Sequence, residues 1–237
     1  MERVPSSRSD VHIPVFFSGS ADSVATLVLL PGGAGGIGKL GADSWPDSGN
    51  FLIRTAQMFA AQGFNVALVS RPTDQTDMDY PFRNSEAHID DLRRVIRLSK
   101  ARWNAPVWLI GTSRGTVSGT AAAIAMRDEG QIAGLVLTSS VTSGKVVGAV
   151  PGQALAQLKI PVLVVHHALD ACKVCRPQEA KTIDAKLVNS PMHALWILDG
   201  GGNPTGDPCE PMHYHGFIGM ESQVVQQVAD WIKRALR

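Results

Sequence analysis

Residues 106–116, PVWLIGTSRGT, run from an apolar strand-like segment into a serine held between two glycines. Ser113 follows the run PVWLI and precedes an alanine-rich segment, RGTVSGTAAAIAMRDE, with the composition of a helix. A strand, a sharp turn and a helix are the context that G-x-S-x-G needs to become a nucleophile elbow, in which a strained turn lifts the serine oxygen above a sheet. The glycines let strand and helix come close, and the helix N-terminus adds a partial positive charge. The same five residues without that context are merely a turn.

Working outward, short apolar runs alternate with amphipathic ones. HIPVFF, TLVLLPG, NVALVS, PVWLIG, AGLVLTS, PVLVVHH and HALWILD read as strands. NFLIRTAQMFAAQG reads as a helix closed by Gly63, SEAHIDDLRRVIRLSKARW as a helix capped by Ser85, and ESQVVQQVADWIKRAL as a closing amphipathic helix. GQALAQL and QEAKTIDAKLV are shorter helical pieces. Strands apolar on both faces and separated by helices predict an α/β protein with a mostly parallel sheet flanked by helices on both faces. The 237 residues, with no repeat or compositional break, predict one domain without a large cap insertion. In such a sheet the reacting groups gather at the carboxyl ends of the strands.

The formal net charge of +1 argues against nucleic acid or a membrane surface as partner. No apolar run is long enough to span a bilayer. The expected partner is a small-molecule substrate, and nothing in the chain specifies an oligomeric state.

A serine nucleophile needs a base, and the base needs an orienting acid, in the chain order Ser, Asp or Glu, His. Two aspartates follow strand-like runs after Ser113. Asp170 lies a few residues into a loop that can curl over the sheet edge; Asp199 is the reserve, equally readable as a turn residue before Gly-Gly-Gly. Among the histidines, His193 precedes its strand and so sits at the wrong end. HYHGF offers His213 and His215, with His215 preferred because it leads directly into Gly-Phe and the last helix. His166 and His167 are expected to line the pocket or to support the residues that do, rather than to act as the base. An oxyanion needs preorganised donors: the amide of Arg114 and one from LLPGGAGGIG, with Gly33 first and Ala34 next. The Arg114 side chain either faces solvent or meets an anionic group of the substrate. The glycine-rich loop lacks G-x-x-x-x-G-K-[ST] and a ribose-binding acid, so nucleotide binding is disfavoured.

These segments resemble the α/β-hydrolase superfamily from about Leu27 to the last helix: LVLLPGGAGG its oxyanion loop, GTSRG its elbow, PVLVVHHALD its acid strand and loop, HGF its histidine loop. The resemblance implies an eight-stranded, mostly parallel sheet and hydrolysis of esters, thioesters or amides with no cofactor and no metal. Pro31-Gly32 stands where many members have His-Gly, and His167 where glycine is frequent. The histidine lies unusually far past its strand. The dienelactone-hydrolase branch, similar in fold, uses a cysteine nucleophile and fits less well.

Cys172 and Cys175 form a CxxC, with Cys209 downstream. That spacing leaves open a redox pair or a zinc site completed by Cys209, His213 and His215. A disulfide between Cys172 and Cys209 is the expectation, because the acid and histidine loops must converge for a triad to form; Cys175 is the next candidate partner. A disulfide implies an oxidising compartment, periplasm or medium, with a signal segment missing from MERVPSSRSD, and its absence implies cytoplasm. The whole points to a carboxylesterase acting through Ser113, His215 and Asp170. The competing readings are a redox or metal protein built on CKVC and a non-catalytic binding module on a hydrolase fold.

Overall fold

The computed structural model describes residues 1–39 and 44–237. Eight strands form one sheet: β1 (Glu2–Pro5), β2 (His12–Ser18), β3 (Thr26–Leu30), β4 (Asn65–Val69), β5 (Val107–Thr112), β6 (Gly134–Thr138), β7 (Val162–His167) and β8 (His193–Leu198). Their order across the sheet is β1-β2-β4-β3-β5-β6-β7-β8. β1 and β2 pair antiparallel, β2 joins β4 antiparallel, and every pairing from β4 to β8 is parallel. β3 to β7 are buried at every position, as expected of strands covered on both faces.

Among the described residues seven α-helices accompany the sheet: α1 (Phe51–Arg54), α2 (Ala56–Ala61), α3 (Tyr80–Arg83), α4 (Glu86–Trp103), α5 (Gly115–Ala125), α6 (Lys181–Asp184) and α7 (Glu221–Ala235). One face of the sheet packs on α4 and α5 through Leu92, Val95, Ile96, Ala122 and Ala123. The other packs on α1, α2 and α7 through Phe51, Leu52, Phe59, Val224, Val228 and Ile232. Together these clusters form the two layers of core.

Four details differ from the sequence reading. The segment 51–61 is two short helices, because Thr55 breaks the run and its hydroxyl donates back to Phe51 O at 2.6 Å. β1 has only one buried residue in four, too weak a pattern to stand out from the polar start of the chain. QEAKTIDAKLV holds only a 3₁₀ turn and the single turn of α6. The link from β6 to β7, residues 139–161, is a loop with two 3₁₀ turns.

Candidate active site

The sharpest local feature lies between β5 and α5. Ser113 has φ of 51°, a left-handed conformation that costs a side-chain-bearing residue on the order of 1–2 kcal/mol. Among the described residues six non-glycines have positive φ. Asp10, Asn104 and Asn203 are of the types that tolerate it; the other three are Ser113, Ser139 and Phe217, and all three border one cleft or the loops that shape it. The turn also needs its glycines for space. A Cβ on Gly115 would lie 2.0 Å from Leu30 O, and one on Gly111 2.5 Å from Gly115 O. Strand, turn and helix are therefore in backbone contact. The amide of Ser113 is tied to Thr138 O at 3.0 Å, and Thr116 Oγ1 donates to Ser113 O at 2.6 Å.

The acid and histidine loops meet at the carboxyl ends of β7 and β8. His215 Nδ1 and Asp170 Oδ2 are 2.9 Å apart, with both side chains almost wholly buried. The other oxygen of Asp170 accepts the amide of Cys172 at 2.9 Å. In this pair Nδ1–H donates to the carboxylate, which leaves Nε2 as the ring nitrogen not held by Asp170. Nε2 is buried without a hydrogen-bond partner among the described residues. Ser113 and His215 line the same cleft but are not hydrogen-bonded to one another. Asp199, the reserve acid, binds the amide of Gly200 in its own exposed turn. His213 meets Tyr214 edge-on, and His193 pairs with Asp184 at 2.8 Å far from the cleft.

The neighbouring histidines do not line the cleft: His166 and His167 are fully buried behind it, where they tie its loops together. His166 Nε2 accepts the amide of Ser140 at 3.0 Å, and burial pulls its pKa down to about 4, so it stays neutral. His167 accepts from Leu169 N, bonds Gly200 O and stacks on Tyr214, which joins the acid loop to the histidine loop. Ser139 Oγ donates to His215 O at 2.7 Å, and Arg54 links Gly216 O to Glu221 at the start of α7.

Gly33, Ala34 and Arg114 line the cleft beside Ser113. Gly32 comes so close that a Cβ there would lie 2.8 Å from Ser113 Cβ. The amides of Gly33, Ala34 and Arg114 donate to no acceptor among the described residues. The residue that the sequence reading missed is Arg83. Its guanidinium is buried and donates to Pro31 O and Gly33 O at 3.1 and 3.0 Å, as well as to Met78 O and Ser118 Oγ. By taking the carbonyls of the glycine-rich loop it turns them away from the cleft. Burial lowers its pKa to about 9, which leaves it charged at neutral pH, and beside it His88 is held neutral with a pKa of about 3, mainly by burial and then by the Arg83 charge. Nothing in YPFRNS marks Arg83 as special; only its tertiary surroundings do.

Cys172 and Cys209 form a disulfide across the two loops, while Cys175 is a buried free thiol. CKVC is therefore not a redox pair in this structure. Among the described residues the one grouping with metal-ligand spacing is Cys172, Cys175 and His215, with donor atoms within 4.8 Å of one another. The disulfide leaves Cys172 without a thiolate, and burial, reinforced by the Asp170 charge, pushes the Cys175 thiol far above its usual pKa. Two donors, one a reluctant thiolate, do not make the four-ligand zinc site that the spacing suggested.

The fold has close counterparts among solved structures. An esterase from Pyrococcus furiosus superposes with a TM-score of 0.68 over 100% of this chain and 92% of its own, at 13% identity. The esterase Est1E from Butyrivibrio proteoclasticus, solved with ferulic acid, gives 0.62 over 100% and 99% at 12% identity. A lidless α/β serine hydrolase from Xanthomonas campestris gives 0.55 over 95% and 93% at 16% identity. This chain has the α/β-hydrolase fold. At these identities the likeness concerns the fold, and no family model or curated protein matches the sequence. Ser113 lies in the turn after β5, Asp170 on the loop after β7 and His215 in the 3₁₀ turn before the last helix. Among the described residues no helix is long and apolar enough to cross a membrane.

Proposed function

We propose that the protein is a serine hydrolase, a carboxylesterase acting on small acyl esters or thioesters through an acyl-enzyme. The observation that carries this is the strained, left-handed Ser113 sharing a cleft with a buried His215 whose Nδ1 is held by Asp170. The Ser113 oxygen attacks the carbonyl carbon as His215 Nε2 takes its proton. Asp170 holds the ring and stabilises the imidazolium. The amides of Gly33 or Ala34 and of Arg114 receive the oxyanion, each worth about 3 kcal/mol of barrier. His215 then protonates the leaving alkoxide or thiolate, and water repeats the sequence on the acyl group.

The domain is read as single and uncapped. Its cleft, about 1210 Å³ in volume, is bordered by irregular loops, and the β6–β7 link holds only two 3₁₀ turns and no helical cover. An open cleft gains little from a long acyl chain, since each buried methylene contributes about 0.8 kcal/mol only where apolar walls enclose it. Short esters are therefore the preferred substrates. A disulfide at the site fits an oxidising compartment.

A fluorophosphonate probe should label wild-type protein at Ser113 and leave the Ser113→Ala protein unlabelled. Kinetics on p-nitrophenyl acetate through palmitate should then show kcat/KM greatest for the short members. Absence of labelling in folded protein would overturn the serine-hydrolase reading; a steady climb with chain length would overturn the open-cleft part alone.

A further inference from the structure

Two guanidinium groups line the cleft, and they differ in what they hold. Arg114 is already engaged: Nη1 lies 3.2 and 3.3 Å from the two oxygens of Asp77, and its guanidinium sits over the Tyr80 ring. Its charge is compensated. Arg71 is different. It follows β4 at the carboxyl end of the sheet, and its amide donates to Gly35 O at 2.8 Å, which fixes its backbone to the glycine-rich loop. The Arg71 side chain is half-buried, with no ion-pair, hydrogen-bond or ring partner among the described residues. Its Nη1 lies 2.8 Å from where a Cβ on Gly36 would be, so the missing side chain of Gly36 is what makes room for the guanidinium.

A guanidinium carries five donors in a rigid fork and does not shed its charge. Withdrawn partly from water with no acceptor, it loses hydration that nothing in the protein returns. A carboxylate in the cleft would supply the missing acceptors in two-pronged geometry. Ser70 and Gln75, on the same wall of the cleft, have side chains without hydrogen bonds among the described residues and add neutral donors. Glu210 also lines the cleft, but it is exposed on the histidine loop and makes no ion pair with Arg71.

We infer that Arg71 is the specificity determinant of this cleft, selecting ester substrates that bear a carboxylate, such as half-esters of dicarboxylic acids or esters of hydroxybenzoates. The inference rests on the acyl-transfer reading of Ser113 and names the substrate class for that site.

Matched pairs test it: the p-nitrophenyl monoester of adipate against p-nitrophenyl hexanoate for charge on the acyl side, and 4-acetoxybenzoate against its methyl ester for charge on the leaving side. Wild-type kcat/KM should favour the charged member of at least one pair by about ten-fold or more, and that preference should shrink as salt is raised. In Arg71→Met the ratio should fall to about one, whereas Arg71→Lys, a point charge without the fork, should keep part of it. Arg71→Gln serves as the second neutral variant should the methionine protein fold poorly. Equal handling of both pairs by wild-type protein, or a preference that survives loss of the charge, overturns the inference while leaving ester hydrolysis intact.

A binding arm does not depend on turnover. Calorimetric titration of Ser113→Ala protein with the two members of each pair should show the charged ester binding at least about ten-fold tighter in one pair, with the difference erased by adding Arg71→Met. No difference there also overturns it. Failure of fluorophosphonate labelling, by contrast, would sink the serine-hydrolase reading itself.

Discussion

The elbow and the histidine loop contribute to one cleft and are built by opposite means. Residues 107–125 form a strand, a two-residue turn and a helix in continuous backbone contact, with Gly111 and Gly115 admitting no side chain. Residues 199–213 contain no helix or strand, yet they carry the chain to His215. That loop is held from outside, by the Cys172–Cys209 disulfide, the His167–Tyr214 stack and the bonds that Ser139 and Arg54 make to the carbonyls of His215 and Gly216. Local sequence suffices to shape a turn whose partners are a few residues away. An irregular loop keeps one geometry only when distant groups offset its conformational entropy.

The largest effects should come from removing either half of the proposed reacting pair. Ser113→Ala and His215→Ala should each lower kcat on p-nitrophenyl acetate by about 10⁴- to 10⁶-fold, and the double variant should be hardly worse than either single one. His213→Ala should be mild in the same assay, since its ring meets Tyr214 and not Asp170. A ranking with His213 above His215 would move the base to the other histidine.

Opening the disulfide should separate the two regions. The bridged residues are 37 apart, and closing such a loop contributes about 4 kcal/mol in the chain-entropy picture. Cys209→Ser, or treatment with a dithiol, should lower Tm and raise hydrogen exchange over residues 199–213 while residues 107–125 stay protected. Uniform loosening of both would show that the elbow also depends on the bridge.

Gly115→Ala should act on the elbow alone. A Cβ at 2.0 Å from Leu30 O forces strand and helix apart, at about 3 kcal/mol or somewhat more. Gly152→Ala, where a Cβ would meet nothing within 4 Å, is the control, and urea unfolding of the two measures the difference.

Arg83→Met should spare the elbow and free the glycine-rich loop. With Pro31 O and Gly33 O released, kcat should fall by about 10²-fold with a smaller change in KM, the signature of donors aimed at the transition state. A rise in KM alone would make Arg83 a contributor to ground-state binding only.

A further effect concerns pH. His88 and His166 stay neutral in the folded protein down to about 3 and 4, whereas in the unfolded chain they take up protons near 6.5. The unfolded state thus binds more protons in that window, so their contribution to stability is full above about pH 6.5 and is lost as pH falls towards 4. Each should add up to about 1.4 kcal/mol per pH unit to the slope of unfolding free energy. Replacing either by Asn should flatten that slope, as read by urea unfolding from pH 7 to pH 4.

Much of the site was legible because the chemistry of the hydrolase fold leaves local marks. An apolar strand followed by Gly-Thr-Ser-Arg-Gly and a small-residue helix specifies a turn whose energetics are decided within a dozen residues, and chain order then points to the Asp170 and His215 regions. The structure brings Asp170 rather than Asp199 to His215 and bonds Cys172 to Cys209 rather than to Cys175, and both contacts follow from two loops converging. What the sequence could not carry was any property set by a contact across the fold. Arg83 and Arg71 are unremarked arginines in their own segments. Burial against two carbonyls makes one a clamp, and the other pairs with no acid among the described residues. Arg114, adjacent to the serine and the more conspicuous of the cleft's arginines in the sequence, is neutralised by Asp77 from another loop. Periodicity and turn chemistry act over a few residues and can be read directly. Whether a charge is paired depends on which distant groups the packed sheet brings beside it, and that is decided only when the chain has folded.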